Sequence, residues 1–381
     1  MPLGTYTYVH NPYAQLPSLP VPQPTPSFDP NYDHYAYGCP PGCAQCTPPA
    51  TPLMPPTNFM MPPRAISRRV VPSMPNVEKP MRVASNHFEQ IIGTMHEMAK
   101  TSYGSSYLQA SLRDFNVERF HAVCNEILPH ATTLLLDPHG CYVVRTLMEQ
   151  MDKVDLAAFV NVVAKEEDVV LALCTSSLHS RRIIQFFLDN LTAEACDGLV
   201  DVIIKKCNEV SRTQQGCIVV QRVLERCTLE RKNQIYTLVQ RNVVSYSMDP
   251  FANYVAQYMF EMGNKESNSQ CIRDFFLGNV FQLATDKYAS NVVEKALHFA
   301  SSDAQRSIVD ELYDVDAEKL LHMIQDSFGN YIIQATIALC SFRDVWSIAE
   351  RLQPVLHQSP YGYKIASKLE RRLRGKALTQ V

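Results

Sequence analysis

The chain has 381 residues, a formal charge of −3 and a pI near 6.4, which excludes a protein that grips nucleic acid mainly by bulk positive charge. No run of eighteen apolar residues occurs, so no membrane span is expected, and the opening MPLGTYTYVH lacks the basic and apolar segments of a secretory signal. The twelve cysteines form no framework, and with no export signal they read as reduced thiols of a cytoplasmic protein.

In chain order, residues 1–80 come first. They hold 20 of the 25 prolines, mixed with Tyr, Ser and Thr, and predict a disordered tail. Four cations and three anions fall there, leaving 31 cations against 35 anions in residues 81–381, a net of −4. Within the tail, HYAYGCPPGCAQC sets His34 ahead of Cys39, Cys43 and Cys46. The spacing matches no strong zinc signature and a partner pair is missing, so neither a metal nor any other cofactor is expected. The second domain, 81–381, is predicted helical almost throughout. ASNHFEQ at 84–90 mimics the phrase that follows, yet HFEQIIGTMHEMAK reads as the first helix of an N-terminal unit and not as a binding element.

One phrase then returns along the chain: a small residue, a polar or aromatic one, two aliphatics and a polar residue. It gives Ser105, Ser106 and Gln109; Cys141, Tyr142 and Arg145; Arg181, Arg182 and Gln185; and Cys217, Ile218 and Gln221. It continues with Asn253, Tyr254 and Gln257; Ser290, Asn291 and Glu294; and Asn330, Tyr331 and Gln334. The intervals between first members are 36, 40, 36, 36, 37 and 40 residues. A period of that length marks a helical repeat array whose units stack to bury a shared apolar stripe. The fold predicted is an all-α superhelical solenoid, with loop insertions making up the two 40-residue intervals. Stacking brings the same helix of every unit to one face and the triplets into a ladder. A solvated face would accept any polar residue. Here, however, Tyr142, Tyr254 and Tyr331 recur at one register, and six of seven triplets end in Gln or Glu, Arg145 being the exception.

ASNVVEKAL, GNYIIQ and ANYVAQ, with YGYKIASKLERR near the end, resemble the Pumilio/FBF (PUF) RNA-binding repeats over about residues 86–375. The resemblance implies a right-handed crescent, each repeat reading one base of single-stranded RNA that runs antiparallel along the concave face. It further implies a monomeric, non-enzymatic regulator that binds mRNA 3′-UTRs and represses translation or mRNA stability, with a place in germline development. Protein co-regulators, deadenylases or translational repressors, would be recruited on the convex face. No Gly-rich phosphate loop, nucleophile elbow or zinc-protease motif argues for an enzyme. A protein-interaction scaffold with lost RNA specificity is the alternative. A nucleolar PUF-like protein would be strongly basic.

Residue by residue, the resemblance assigns base edges to the first and third members and stacking to Tyr142, Arg182, Tyr254, Asn291 and Tyr331. Asn and Gln amides complement uracil, so Asn330 with Gln334 and Asn253 with Gln257 each take U. A carboxylate accepts both N–H donors of guanine, so Glu294, assisted by Ser290, takes G. Cys217 with Gln221 takes A, as does Ser105 with Gln109, although Ser106 offers no stacking surface. Arg181 beside Gln185 is an unusual edge reader, and Arg145 beside Cys141 is expected to touch phosphate or nothing specific. The predicted element is 5′-UGUA, a loosely read stretch, then A. The family has eight repeats where seven triplets and a cap are found here. The segment ELYDVDAEKLL is expected to lengthen an outer-face loop and to offer a docking site for partners.

Overall fold

In the computed structural model the described residues are 88–114 and 117–377, without the side chains of 375–377. The Pro-rich tail, its His34–Cys46 tract and the boundary at 81 lie outside them. The described residues form an all-α solenoid of three-helix units. The first unit is α1 (Met95–Ala99), α2 (Ser102–Arg113) and α3 (Val117–Ile127); the second is α4 (Ala131–Leu136), α5 (Gly140–Met148) and α6 (Lys153–Ala164). The third comprises α7 (Glu167–Thr175), α8 (Leu178–Asn190) and α9 (Asp197–Lys205), and the fourth α10 (Cys207–Ser211), α11 (Gly216–Arg226) and α12 (Leu229–Arg241). The fifth holds α13 (Val243–Ser247), α14 (Ala252–Met262) and α15 (Lys265–Cys271), the last continued by a π-helical turn, Ile272–Phe276. The sixth is α16 (Val280–Ala284), α17 (Ala289–Phe299) and α18 (Ser302–Tyr313), and the seventh α19 (Ala317–Gln325), α20 (Gly329–Leu339) and α21 (Phe342–Leu352). A capping helix, α22 (Gly362–Ala377), ends the array.

Short helices are unstable alone, so each unit depends on its neighbours. One apolar core runs unbroken from Phe88 to Leu369. The first helix of a unit contributes a buried set at i, i+3 and i+4: Ala131, Leu134 and Leu135; Val243, Tyr246 and Ser247; Val280, Leu283 and Ala284. A polar residue then starts the second helix. Asp137, Asp249, Asp286 and Asp326 each accept hydrogen bonds from the backbone N–H groups two and three positions on, at 2.7–2.9 Å. Thr101, Ser177 and Thr213 do the same with a hydroxyl, from Gly104, Ser180 and Gly216. The turn is tight: a Cβ at Gly216 would lie 2.0 Å from the Val210 carbonyl oxygen.

Two expectations are corrected. The 40-residue intervals contain no loop insertion: α7 and α19 are nine residues long where α10, α13 and α16 have five. The additional turn, residues 167–169 and 317–319, precedes the buried sets Val170, Leu173, Cys174 and Leu320, Met323, Ile324. ELYDVDAEKLL is accordingly the end of α18, a short connector capped by Asp316, and the start of α19. Upstream, HFEQIIGTMHEMAK is two pieces and not one helix, a 3-10 turn over Glu89–Ile91 and then α1. Gly93 breaks them with φ +87°, a conformation that favours glycine. The Glu126 carboxylate fastens this break by accepting from Gly93 N (2.6 Å) and Met95 N (3.0 Å). The sixth unit repeats the device: Gly278 has φ +89°, and Glu311 accepts from Gly278 N and Val280 N, both at 2.7 Å.

Candidate nucleic-acid interface

The second helices pack side by side in one row, α2, α5, α8, α11, α14, α17, α20, closed by α22. Every triplet lies on a second helix. The seven first members share one environment, all 7% exposed or less, so their polar atoms sit at the floor of the row.

Units five and seven are wired alike. Asn253 Nδ2 donates to the Asp249 carbonyl (2.8 Å), and its Oδ1 accepts from Gln257 Nε2 (2.9 Å). Asn330 Nδ2 donates to the Asp326 carbonyl (2.8 Å), and its Oδ1 accepts from Gln334 Nε2 (3.1 Å). Each Asn is therefore oriented by the backbone of the preceding turn and in turn orients the Gln, which retains an acceptor oxygen and a second N–H for a ligand. In the first unit Gln109 Nε2 donates to Ser105 Oγ (3.0 Å), and that hydroxyl donates to the His139 carbonyl of the next unit (2.8 Å).

Between those amide pairs, unit six sets a carboxylate. Ser290 is buried, and Glu294, one turn on, is exposed. Glu294, His298, Tyr331, Gln334 and Lys368 line a cleft of about 210 Å³. Desolvation and the neighbouring Arg371 push the Lys368 ammonium below its ordinary range, with Glu294 opposing. The two cysteines of the row are not nucleophiles. Cys141 and Cys217 donate to the carbonyls of Pro138 and Gln214, and burial pushes both thiols up, Cys217 to about 11.

The middle members differ in presentation. Tyr331 is 59% exposed and Tyr142 37%, Arg182 is exposed, and Tyr254 and Asn291 are half-buried. Tyr142 leans across to the third unit, its hydroxyl 2.8 Å from His179 Nδ1 and the rings edge-on at 5.4 Å. Arg145 is held by its own helix and the next. Its Nε donates to Glu149 Oε1 (3.1 Å), and its Cζ lies 5.7 Å from the Phe186 ring centroid. Arg181 is buried within electrostatic reach of the Cys217 thiol. His179 and Phe186 are neighbours that the spacing of triplets did not single out.

A further triplet was missed. On α22, Tyr361–Gly362–Tyr363 repeats the register of Phe328–Gly329–Asn330, which places Tyr363, Lys364 and Ser367 at the ladder positions. Tyr363 is 85% exposed. The aligned Gly–aromatic start was the available signal.

The sequence profile of the Pumilio-family RNA binding repeat matches residues 95–128, 130–164, 206–239, 242–273, 279–313 and 319–352, just over half of the chain. The chain belongs to the Pumilio family. The matched segments coincide with six of the seven units, and the unmatched one is the third, which carries Arg181 and Arg182. Among Pumilio relatives, a Pumilio domain-containing protein of Schizosaccharomyces pombe is 28% identical over 309 residues, 72% of this chain and 45% of its own length. Pumilio homolog 12 of Arabidopsis thaliana is 24% identical over 324 residues, 74% of this chain and 54% of its own. The chain thus spans about half the length of these curated relatives. The Puf4 RNA binding domain, solved with an HO endonuclease RNA 3′ UTR recognition sequence, superposes with TM-score 0.62 at 24% identity, covering 74% of this chain and 89% of that one. The RNA-binding domain of yeast Puf5p bound to an RNA gives TM-score 0.61 at 20% identity, covering 75% and 88%. These likenesses establish the Pumilio solenoid as the fold.

Proposed function

We propose that this chain binds single-stranded mRNA sequence-specifically, at 3′-UTR elements beginning UGU, along the row of second helices. The observation that carries the reading is the succession Asn253/Gln257, Ser290/Glu294, Asn330/Gln334 on adjacent helices. Two similarly wired amide pairs flank one carboxylate. Amides complement the acceptor–donor–acceptor edge of uracil, and the carboxylate complements the two N–H donors of guanine. Read antiparallel, that order gives 5′-U-G-U, followed by A at Cys217/Gln221 and A again at Ser105/Gln109. Tyr254 and Tyr331 supply stacking surface, with Asn291 in the same register. Base–aromatic stacking is worth roughly 1–3 kcal/mol per base, which offsets the weak overall attraction of an acidic domain for phosphate. Repression of the bound mRNA through recruited protein co-regulators, by a monomer in the cytoplasm, completes the proposal. Family membership supports it.

The test is fluorescence anisotropy of the full chain on UGUA-containing RNA, on the same RNA with ACA for UGU, and with Glu294→Gln in parallel. The amide replaces one acceptor by a donor facing a guanine N–H. The expected loss on UGUA is about 1–3 kcal/mol, roughly 5- to 150-fold, with preference for G over A at the second base abolished. Equal weak binding to both RNAs would instead leave a Pumilio-shaped protein-interaction scaffold.

A further inference from the structure

The seven triplets contain three cations, and all fall on two adjacent helices: Arg145 on α5, Arg181 and Arg182 on α8. The other members of the seven triplets are neutral, apart from Glu294. Three guanidinium groups at neighbouring positions repel one another, an arrangement that a domain of net −4 does not need for stability. Their surroundings divide the labour among them. Arg181 is 7% exposed, so its charge acts from a poorly screened site beneath the surface. Arg182 is exposed and enters no ion pair among the described residues. Arg145 is half-exposed, with its Nε committed to Glu149 and its plane steadied over Phe186, so its terminal N–H groups are presented in a fixed direction. Beside them Tyr142 is tied to His179 across the unit boundary. The one stacking ring of this stretch is thus engaged by protein.

From this we infer that units two and three hold the RNA by its phosphodiester backbone and not by base edges: Arg145 and Arg182 contact phosphate oxygens while buried Arg181 sustains the positive potential beneath them. Guanidinium is donor-only, matches a phosphate bidentately and finds such oxygens on every nucleotide, whereas a base edge would have to present acceptors alone. The inference rests on the antiparallel reading above, which brings the fifth and sixth nucleotides of the element to these units. Its functional content is specific. The middle of the element is then fixed in length and charge while its base identity is left open.

Two modified RNAs separate the possibilities, using the full chain. An abasic nucleotide at position five or six keeps the phosphate and removes the base. A methylphosphonate linkage there keeps the base and removes the charge. Affinity should stay within about twofold for the abasic RNA and fall about tenfold or more for the methylphosphonate, as expected for losing a charge-assisted hydrogen bond. At the first uracil the order should reverse, with the abasic RNA losing about fivefold or more through lost stacking. Arg182→Gln and Arg145→Gln should each flatten the dependence of log affinity on log salt by about 0.7 without altering base preference at positions five and six. The inference is overturned if the abasic RNA is the weak one at five and six, or if either variant changes base preference there. Failure of the UGU control would instead remove the underlying reading.

Discussion

Asp249 tests whether the start of the second helix and the site are one construction. Its Oδ1 accepts from Phe251 N and Ala252 N at 2.9 Å, its Oδ2 accepts from Arg212 Nη1 at 2.9 Å, and its carbonyl accepts from Asn253 Nδ2 at 2.8 Å. Removing the carboxylate in Asp249→Ala strands two N–H groups at a partly buried helix start, a capping loss of about 1–2 kcal/mol. It also breaks an ion pair that is partly shielded on the Asp side, worth about 0.5–1 kcal/mol. The expected total is roughly 1.5–3 kcal/mol. Asp249→Asn keeps the accepting oxygen and loses only the charge, so it should cost under about 1 kcal/mol. Urea denaturation gives the totals, and amide hydrogen exchange at Phe251 and Ala252 locates them. In the Ala variant those two amides should exchange faster, and affinity should fall mainly at the third nucleotide because the Asp249 carbonyl that orients Asn253 is no longer fixed. The reasoning fails if Asn is as damaging as Ala, or if Ala leaves both stability and exchange unchanged.

Tyr331, well exposed, contributes little to the core, so Tyr331→Ala should leave thermal stability nearly unchanged. RNA affinity should drop by about 1–3 kcal/mol, and Tyr331→Phe should restore it in anisotropy titrations. Burial holds the thiols of Cys196 and Cys217 up at about 11 and those of Cys124, Cys174, Cys271 and Cys340 at about 12, against 9.0 for an ordinary thiol. The folded chain therefore keeps protons that the unfolded chain releases. Their contribution is intact below pH 9 and is lost as pH rises through 11 to 12. Melting temperature measured across that range should fall steeply, and substitution of several of these cysteines by Ala or Val should flatten the fall. Thiol-reactive probes at pH 8 should label the native chain slowly.

The repeat was legible because the triplet is anchored at both ends. Four residues before each first member stands the Asp, Ser or Thr that starts the helix, and four after it stands its partner on the same face. Six of those units are also what the family profile matches. Spacing alone did not say where surplus residues go, since an interval counts residues without folding them. The phase of Leu320, Met323 and Ile324 carried that information. The link from Arg145 to Glu149 was open to an i, i+4 reading. The contact of Tyr142 with His179 was not, because it joins different units and depends on how α5 and α8 are set beside each other.

The longer first helices have a consequence for how such an array can vary. The 40-residue intervals exceed the 36-residue ones by four, and an α-helix advances about 100° per residue, so the surplus amounts to about 400°, one turn and a small remainder. The apolar trio of the elongated helix faces inward as before and starts at its fourth residue instead of its first, about 4.5 Å further along the axis. A surplus of two residues would rotate that trio by about 200° and turn it to solvent. Within a first helix, permissible insertions thus arrive one turn at a time, and the single extra residue of the 37-residue interval falls outside one, α13 and α16 both being five residues long.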